Sequence, residues 1–75
     1  MRLSQIRQGM ACRVERIPEG LLKQRLAQFG LTEQMTVKCR LAGRRIVALQ
    51  WPGSVVAVRR KNIEDVVCGV MECGH

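Results

Sequence analysis

Two spacings of apolar residues divide this chain into elements. From Met10 the apolar positions recur at every second residue. Met10, Cys12 and Val14 face one way, and Arg13 and Glu15 the other. A period of two belongs to a half-buried strand, and Pro18-Glu19-Gly20 breaks it. The period then lengthens. Leu22, Leu26 and Phe29 stand at i, i+4 and i+7. They form one stripe of an amphipathic helix predicted near residues 20–29, with Lys23, Gln24 and Gln28 on its outer side. Gly30 follows the stripe, where a left-handed C-cap favours glycine. After it the period returns to two. Met35, Val37, Cys39 and Leu41 are the inward set of a strand, and Ala42-Gly43-Arg44 is a turn. Arg45 to Trp51 is richer in apolar residues, as in a strand buried on both faces. Pro52-Gly53-Ser54 is a tight turn into a third strand of the run, Val55 to Arg59. Asn62 is placed to cap a single turn through Ile63-Glu64-Asp65, and Val66 to Val70 is a last strand. Upstream, Leu3 to Gly9 reads as a short helical turn, capped by Ser4 and ended by Gly9.

Five short strands and one helix are too few for an open sheet with a covered face. A small barrel buries the inward set and removes most of the edge. The predicted fold is mainly β: a small SH3-like barrel of about five strands with one inserted helix across a mouth, and an OB-fold is its rival. The barrel spans residues 1–70, and 71–75 form a polar tail. Its predicted core includes Val14, Leu22, Leu26, Val37, Cys39, Leu49, Val56, Val58 and Val66.

Length narrows the function classes. The chain has 75 residues, one small domain with a thin core. A nucleotide-binding βαβ domain with a substrate cleft does not fit. No apolar run approaches the roughly 18–20 residues of a membrane span, and no signal-peptide core opens the chain, so a soluble cytoplasmic module is expected. Charge adds more. Thirteen Lys and Arg stand against six Asp and Glu, for a net charge of +7. All the bases precede residue 62, and the last stretch holds Glu64, Asp65 and Glu72 with no base. Such a surface attracts anionic partners.

Catalysis finds little support. The single His is the terminal residue, no nucleophile has a base nearby, and no carboxylate pair faces inward. The expected protein is no enzyme, has no small-molecule substrate and needs no cofactor. Four cysteines, Cys12, Cys39, Cys68 and Cys73, make no C-x-x-C pair. The sharpest metal candidate is Cys68, Cys73 and His75, whose thiolates and imidazole suit Zn²⁺ or Fe²⁺. Three ligands leave a tetrahedral site open, and a second copy of the chain would close it as a metal-linked homodimer. Against this, Cys68 alternates with Val66 and Val70 as a core residue does, and Cys12 and Cys39 read as core as well.

The bases fall into two runs, Arg40, Arg44 and Arg45 at one hairpin and Arg59-Arg60-Lys61 after the next strand. A solvated face explains them, and so does docking on an acidic surface. Nucleic-acid binding is the alternative. Phe29 and Trp51 are the only aromatic residues, which is few for base stacking; Phe29 belongs to the helix stripe, while Trp51 beside Pro52 has room to be exposed.

The order of these signals resembles one family. Leu3…Gly9, a strand ending at Ile17, Arg25-Leu26 on the helix, Gly30-Leu31 just after it, and a closing Ala57-Val58-Arg59 strand are similar to the ferrous iron transport protein A (FeoA) family. The likeness covers roughly residues 3–70. Two departures stand out. Glu33-Gln34 occupy a place where the family has Pro-Gly, and the loop before the third strand is shortened to Leu41-Ala42-Gly43-Arg44-Arg45. The resemblance implies a small cytosolic accessory protein of ferrous iron uptake. Its implied partner is the membrane ferrous iron permease with a cytosolic G-protein domain (ferrous iron transport protein B). The expected partner-binding positions are Arg25, Gly30, Leu31 and Arg59, which match the family's pattern, together with Arg44 and Arg45 from the basic hairpin. The alternative is a basic small-barrel module that binds nucleic acid or acts as a metal-linked regulatory domain.

Overall fold

The structure is a computed structural model, and it describes residues 1–71. Five strands form one antiparallel sheet: β1 (Ala11–Arg16), β2 (Thr36–Ala42), β3 (Ile46–Trp51), β4 (Ser54–Arg59) and β5 (Val67–Val70). They lie in the order β4-β3-β2-β1-β5, that of an SH3-like barrel. One helix, α1 (Leu21–Gln28), is inserted between β1 and β2, and a 3₁₀ turn, Arg60–Ile63, joins β4 to β5.

The period-two segments became strands because one face of each is apolar. Cys12 and Val14 from β1, Val37 and Cys39 from β2, Val47, Leu49 and Trp51 from β3 and Cys68 from β5 are all buried. Leu26, the central residue of the helical stripe, joins the same cluster. Leu22, Val56 and Val58, expected in the core, are half-buried and pack against its rim.

Five expectations fail for physical reasons. Leu41 is 60% exposed. The β2–β3 register shifts between Cys39↔Leu49 and Leu41↔Ala48, so Arg40 is an extra residue and the alternation inverts beyond it. Phe29 is 53% exposed, because it is the C-cap of α1, where the backbone has left the helical spiral. β3 buries one face only: Val47, Leu49 and Trp51 point inward while Ile46 is exposed. The first helical turn, Leu3–Gln5, is a 3₁₀ turn with Arg2 at its N-cap, so Ser4 lies within it. Asn62 likewise lies inside the Arg60–Ile63 turn and does not cap it.

The core also draws on residues outside any regular pattern. Leu3, Ile6, Ile17, Leu31, Ile63 and Val66 are buried from turns and loops. Residues 1–3 reach them by running along the edge of β5. The Leu3 amide donates to the Val66 carbonyl at 2.8 Å, the Cys68 amide to the Met1 carbonyl at 2.8 Å, and Arg2 pairs with Val67.

Two backbone positions hold the connections in shape. After α1 the Leu31 amide donates to the Leu26 carbonyl at 2.9 Å and the Gly30 amide to the Ala27 carbonyl at 3.0 Å. This is the paired closure of a Schellman motif, and Gly30, at φ +91°, supplies its left-handed residue. Leu26 and Leu31 are both buried beneath it. Before β2, Gln34 adopts φ +76° although it carries a side chain. Its amide donates to the Val14 carbonyl at 2.6 Å. Beside it, the Glu33 carboxylate accepts from the Ile17 amide at 2.9 Å. That bond, helped by Lys23, holds the Glu33 carboxyl below its ordinary value.

Leu26→Ala is expected to cost about 2–5 kcal/mol, a large share of the stability of so small a barrel, measured by urea unfolding. Gln34→Gly is expected to stabilise by about 0.5–1 kcal/mol in the same assay. The strain of a side-chain-bearing residue in the left-handed region outweighs the added freedom of the unfolded chain.

Candidate functional site

The β3–β4 ladder brings the two basic runs together. It pairs Ile46 with Arg59, and beyond it the Arg60 amide donates to the Arg45 carbonyl at 2.8 Å. Arg44 and Arg45 therefore stand opposite Arg59, Arg60 and Lys61. With Ile46 and Glu64 they line a surface cleft of about 610 Å³.

Arg60 builds this cleft. Its Nε donates to the Gly43 carbonyl at 2.9 Å. One Nη donates to the Ser4 carbonyl at 2.6 Å and to the Ile6 carbonyl at 3.2 Å. One guanidinium thus ties the β2–β3 turn to the N-terminal segment. Arg44, Arg45, Arg59 and Lys61 are exposed. Among the described residues ion pairs form only at Lys23, at 2.8 Å to Glu19 and 3.7 Å to Glu33. Arg40 stands apart from the cleft and donates to the Gln50 side-chain oxygen at 2.9 Å.

A second groove runs between α1 and β4. Leu22, Arg25, Leu26 and Phe29 form one wall and Val56 to Arg59 the other, with Asn62 at one end, around about 300 Å³. The helix is held there by the carbonyl of Phe29. It accepts the Trp51 indole N–H at 3.0 Å and the Ser54 hydroxyl at 3.1 Å. Arg59 lines both the groove and the basic cleft, so the two form one surface.

Of the expected partner-binding residues, Arg44, Arg45 and Arg59 meet in the cleft, and Arg25 lies in the adjoining groove. Gly30 is exposed at the helix end. Leu31 is 1% exposed; its side chain packs under the cap and does not line the surface. Trp51, which has room beside Pro52 to be exposed, is instead 3% exposed, because its indole reaches the helix end. Sequence reasoning named Arg60 only as one charge of a run, and its clamp depends on carbonyls of residues 4, 6 and 43 that no spacing reveals.

Cys68 is buried beside Cys12, and both are free thiols, as is Cys39. Burial pushes the Cys12 thiol well up, reinforced by Cys68, and raises Cys39 and Cys68 as well. Cys73 and His75, the other expected metal ligands, lie outside the described residues. Among the described residues no group of His, Cys, Asp and Glu is arranged to hold a metal ion, and no helix is long and apolar enough to cross a membrane.

A family model, the FeoA domain, matches residues 1–68. The chain belongs to the FeoA family. Solved structures share its fold. The solution structure of FeoA protein from Chlorobium tepidum is similar with a TM-score of 0.84 at 21% identity, over 100% of this chain and 76% of that one. A crystal structure of an iron uptake regulatory protein (FeoA) gives 0.83 at 20% identity, over 95% of this chain and 97% of that one. A FeoA-like protein from Clostridium acetobutylicum gives 0.83 at 17% identity, over 100% and 91%. No curated protein matches the chain by sequence. Within this FeoA-family fold, Gln34 bears its side chain at the left-handed position where the resemblance leads one to expect glycine.

Arg60→Lys is expected to keep the charge and lose the clamp. A lysine ammonium does not reproduce the guanidinium fork, so stability should fall by about 1–2 kcal/mol in thermal unfolding. Amide exchange should quicken at residues that border Gly43 and Ser4.

Proposed function

We propose that this FeoA-family protein is a small non-catalytic accessory component of ferrous iron uptake. In this reading it docks through its basic cleft on an acidic surface of the membrane permease's cytosolic G-protein domain. The observation that carries the reading is the convergence of Arg44, Arg45, Arg59 and Lys61 at one cleft, where Glu64 is the single carboxylate in the lining. Exposed like charges held side by side repel one another and cost stability. An opposing acidic surface relieves that repulsion, which gives the cleft a physical preference for such a partner. Membership of the FeoA family supplies the system in which the partner is sought. The iron uptake regulatory protein that shares the fold points to the same system. The partner's G-protein domain would place the contact in the cytoplasm.

The test is capture of the permease's cytosolic domain by the full chain over a series of salt concentrations. Arg44→Glu with Arg45→Glu should weaken binding by about tenfold or more at low salt, and the difference should shrink as salt screens the charges. Both side chains are exposed, so the variant is expected to fold. A folded double variant that binds as well as the parent would overturn the reading. Sub-micromolar binding of nucleic acid at physiological salt, with no capture of the permease domain, would replace it.

A further inference from the structure

The two edges of the sheet are treated differently. The edge of β5 is occupied by residues 1–3, through the Leu3, Val66, Met1 and Cys68 backbone bonds and the Arg2–Val67 pair. β4 stands at the other edge, and its one strand neighbour is β3. The two-residue turn at Pro52-Gly53 makes Trp51 and Ser54 the closing pair of the hairpin. Hydrogen-bonded pairs then alternate, at Leu49 with Val56 and Val47 with Val58. The Arg60 amide on the Arg45 carbonyl continues that parity. Val55, Ala57 and Arg59 therefore turn their N–H and C=O groups away from β3. No backbone bond to these groups is made from another element among the described residues.

This bare edge is also the wall of a groove. Leu22, Leu26 and Phe29 of the helix side face Val56 and Val58 across about 300 Å³. Arg25 and Arg59 line it, and no carboxylate does. The Trp51 and Ser54 bonds to the Phe29 carbonyl fix the opposite wall, so little ordering is left for the moment of binding.

We propose that the free edge of β4 takes up an extended acidic and apolar segment of a partner protein as an added strand. Its backbone bonds Val55, Ala57 and Arg59. Its apolar side chains, at every second position, enter the groove beside Val56 and Val58, and the carboxylates between them point to the opposite face, beside the exposed Arg59. The proposal rests on the docking reading and names the kind of segment that docks. A second copy of this chain is disfavoured as the occupant, because pairing two β4 edges brings together two chains that each carry a net charge of +7.

The probe is a short synthetic peptide, acetylated and amidated, in which glutamate and valine alternate. Amide exchange and chemical shifts of the full chain are followed by NMR. The peptide should slow exchange at Val55, Ala57 and Arg59 by about tenfold or more at saturation and shift Leu22 and Phe29. A version with lysine for glutamate should not. A peptide N-methylated along its bonding edge should not either, and that control leaves the protein untouched. Ala57→Pro removes an N–H that the β3 ladder does not use, so it should fold and lose the peptide. Shifts confined to Arg44, Arg45 and Lys61, or equal binding of the methylated peptide, would sink the proposal. Protection of β4 that grows with protein concentration in the absence of peptide would make a second copy the occupant and overturn it too. Capture of the permease domain separates the two levels. If Ala57→Pro retains capture while Arg44→Glu with Arg45→Glu loses it, strand addition is wrong and docking stands. If neither variant changes capture, the docking reading is itself wrong.

Discussion

The carbonyl of Phe29 is where the helix and the sheet become one body. α1 is short and isolated helices of that length are marginal in water, so its persistence depends on what holds its ends. At the C-terminal end the Schellman bonds turn the chain sharply, which leaves the Phe29 oxygen facing the β3–β4 hairpin. The Trp51 indole and the Ser54 hydroxyl both donate to it. The large Trp51 side chain is thereby drawn into the core, and the hairpin is fixed at its turn. The Phe29 ring is left outside, at the mouth of the groove.

The second half of the surface follows from the same hairpin. Once the Pro52-Gly53 turn sets the register, Ile46 must oppose Arg59, and the two runs of bases come face to face. Arg60 then turns inward to the carbonyls of Ser4, Ile6 and Gly43. It separates from its neighbours in role: one cation satisfies backbone, while Arg44, Arg45, Arg59 and Lys61 face solvent. A barrel with little room for a buried cavity has arranged its chemistry on its outside.

Much of this was legible in the sequence. Period two located β1 and β2, apolar runs between turn residues located β3, β4 and β5, and Gly30 marked the end of the helix. What failed was non-local. The bulge at Arg40 follows from pairing with β3, and it sent Leu41 outward where alternation put it inward. The burial of Leu3, Ile6, Leu31 and Ile63 depends on loops that fold back, and a lone apolar residue in a loop carries no period. The candidate site was half visible. The basic runs could be counted, and Arg44, Arg45 and Arg59 could be named. Their meeting depends on register, and the groove exists only when α1 and β4 are set side by side.

The raised thiols of Cys12 and Cys68 have a kinetic meaning. A thiol whose acidity is suppressed by burial stays neutral at physiological pH, and neutral sulfur is a poor nucleophile and a poor ligand for soft cations. Both side chains are fully buried, so a bulky reagent reaches them only when the β1–β5 ladder opens. Alkylation of the two cysteines would therefore report how much of the time that ladder stands open. The barrel carries a native gauge of its own breathing, placed at the strand whose outer edge is covered by the first residues of the chain.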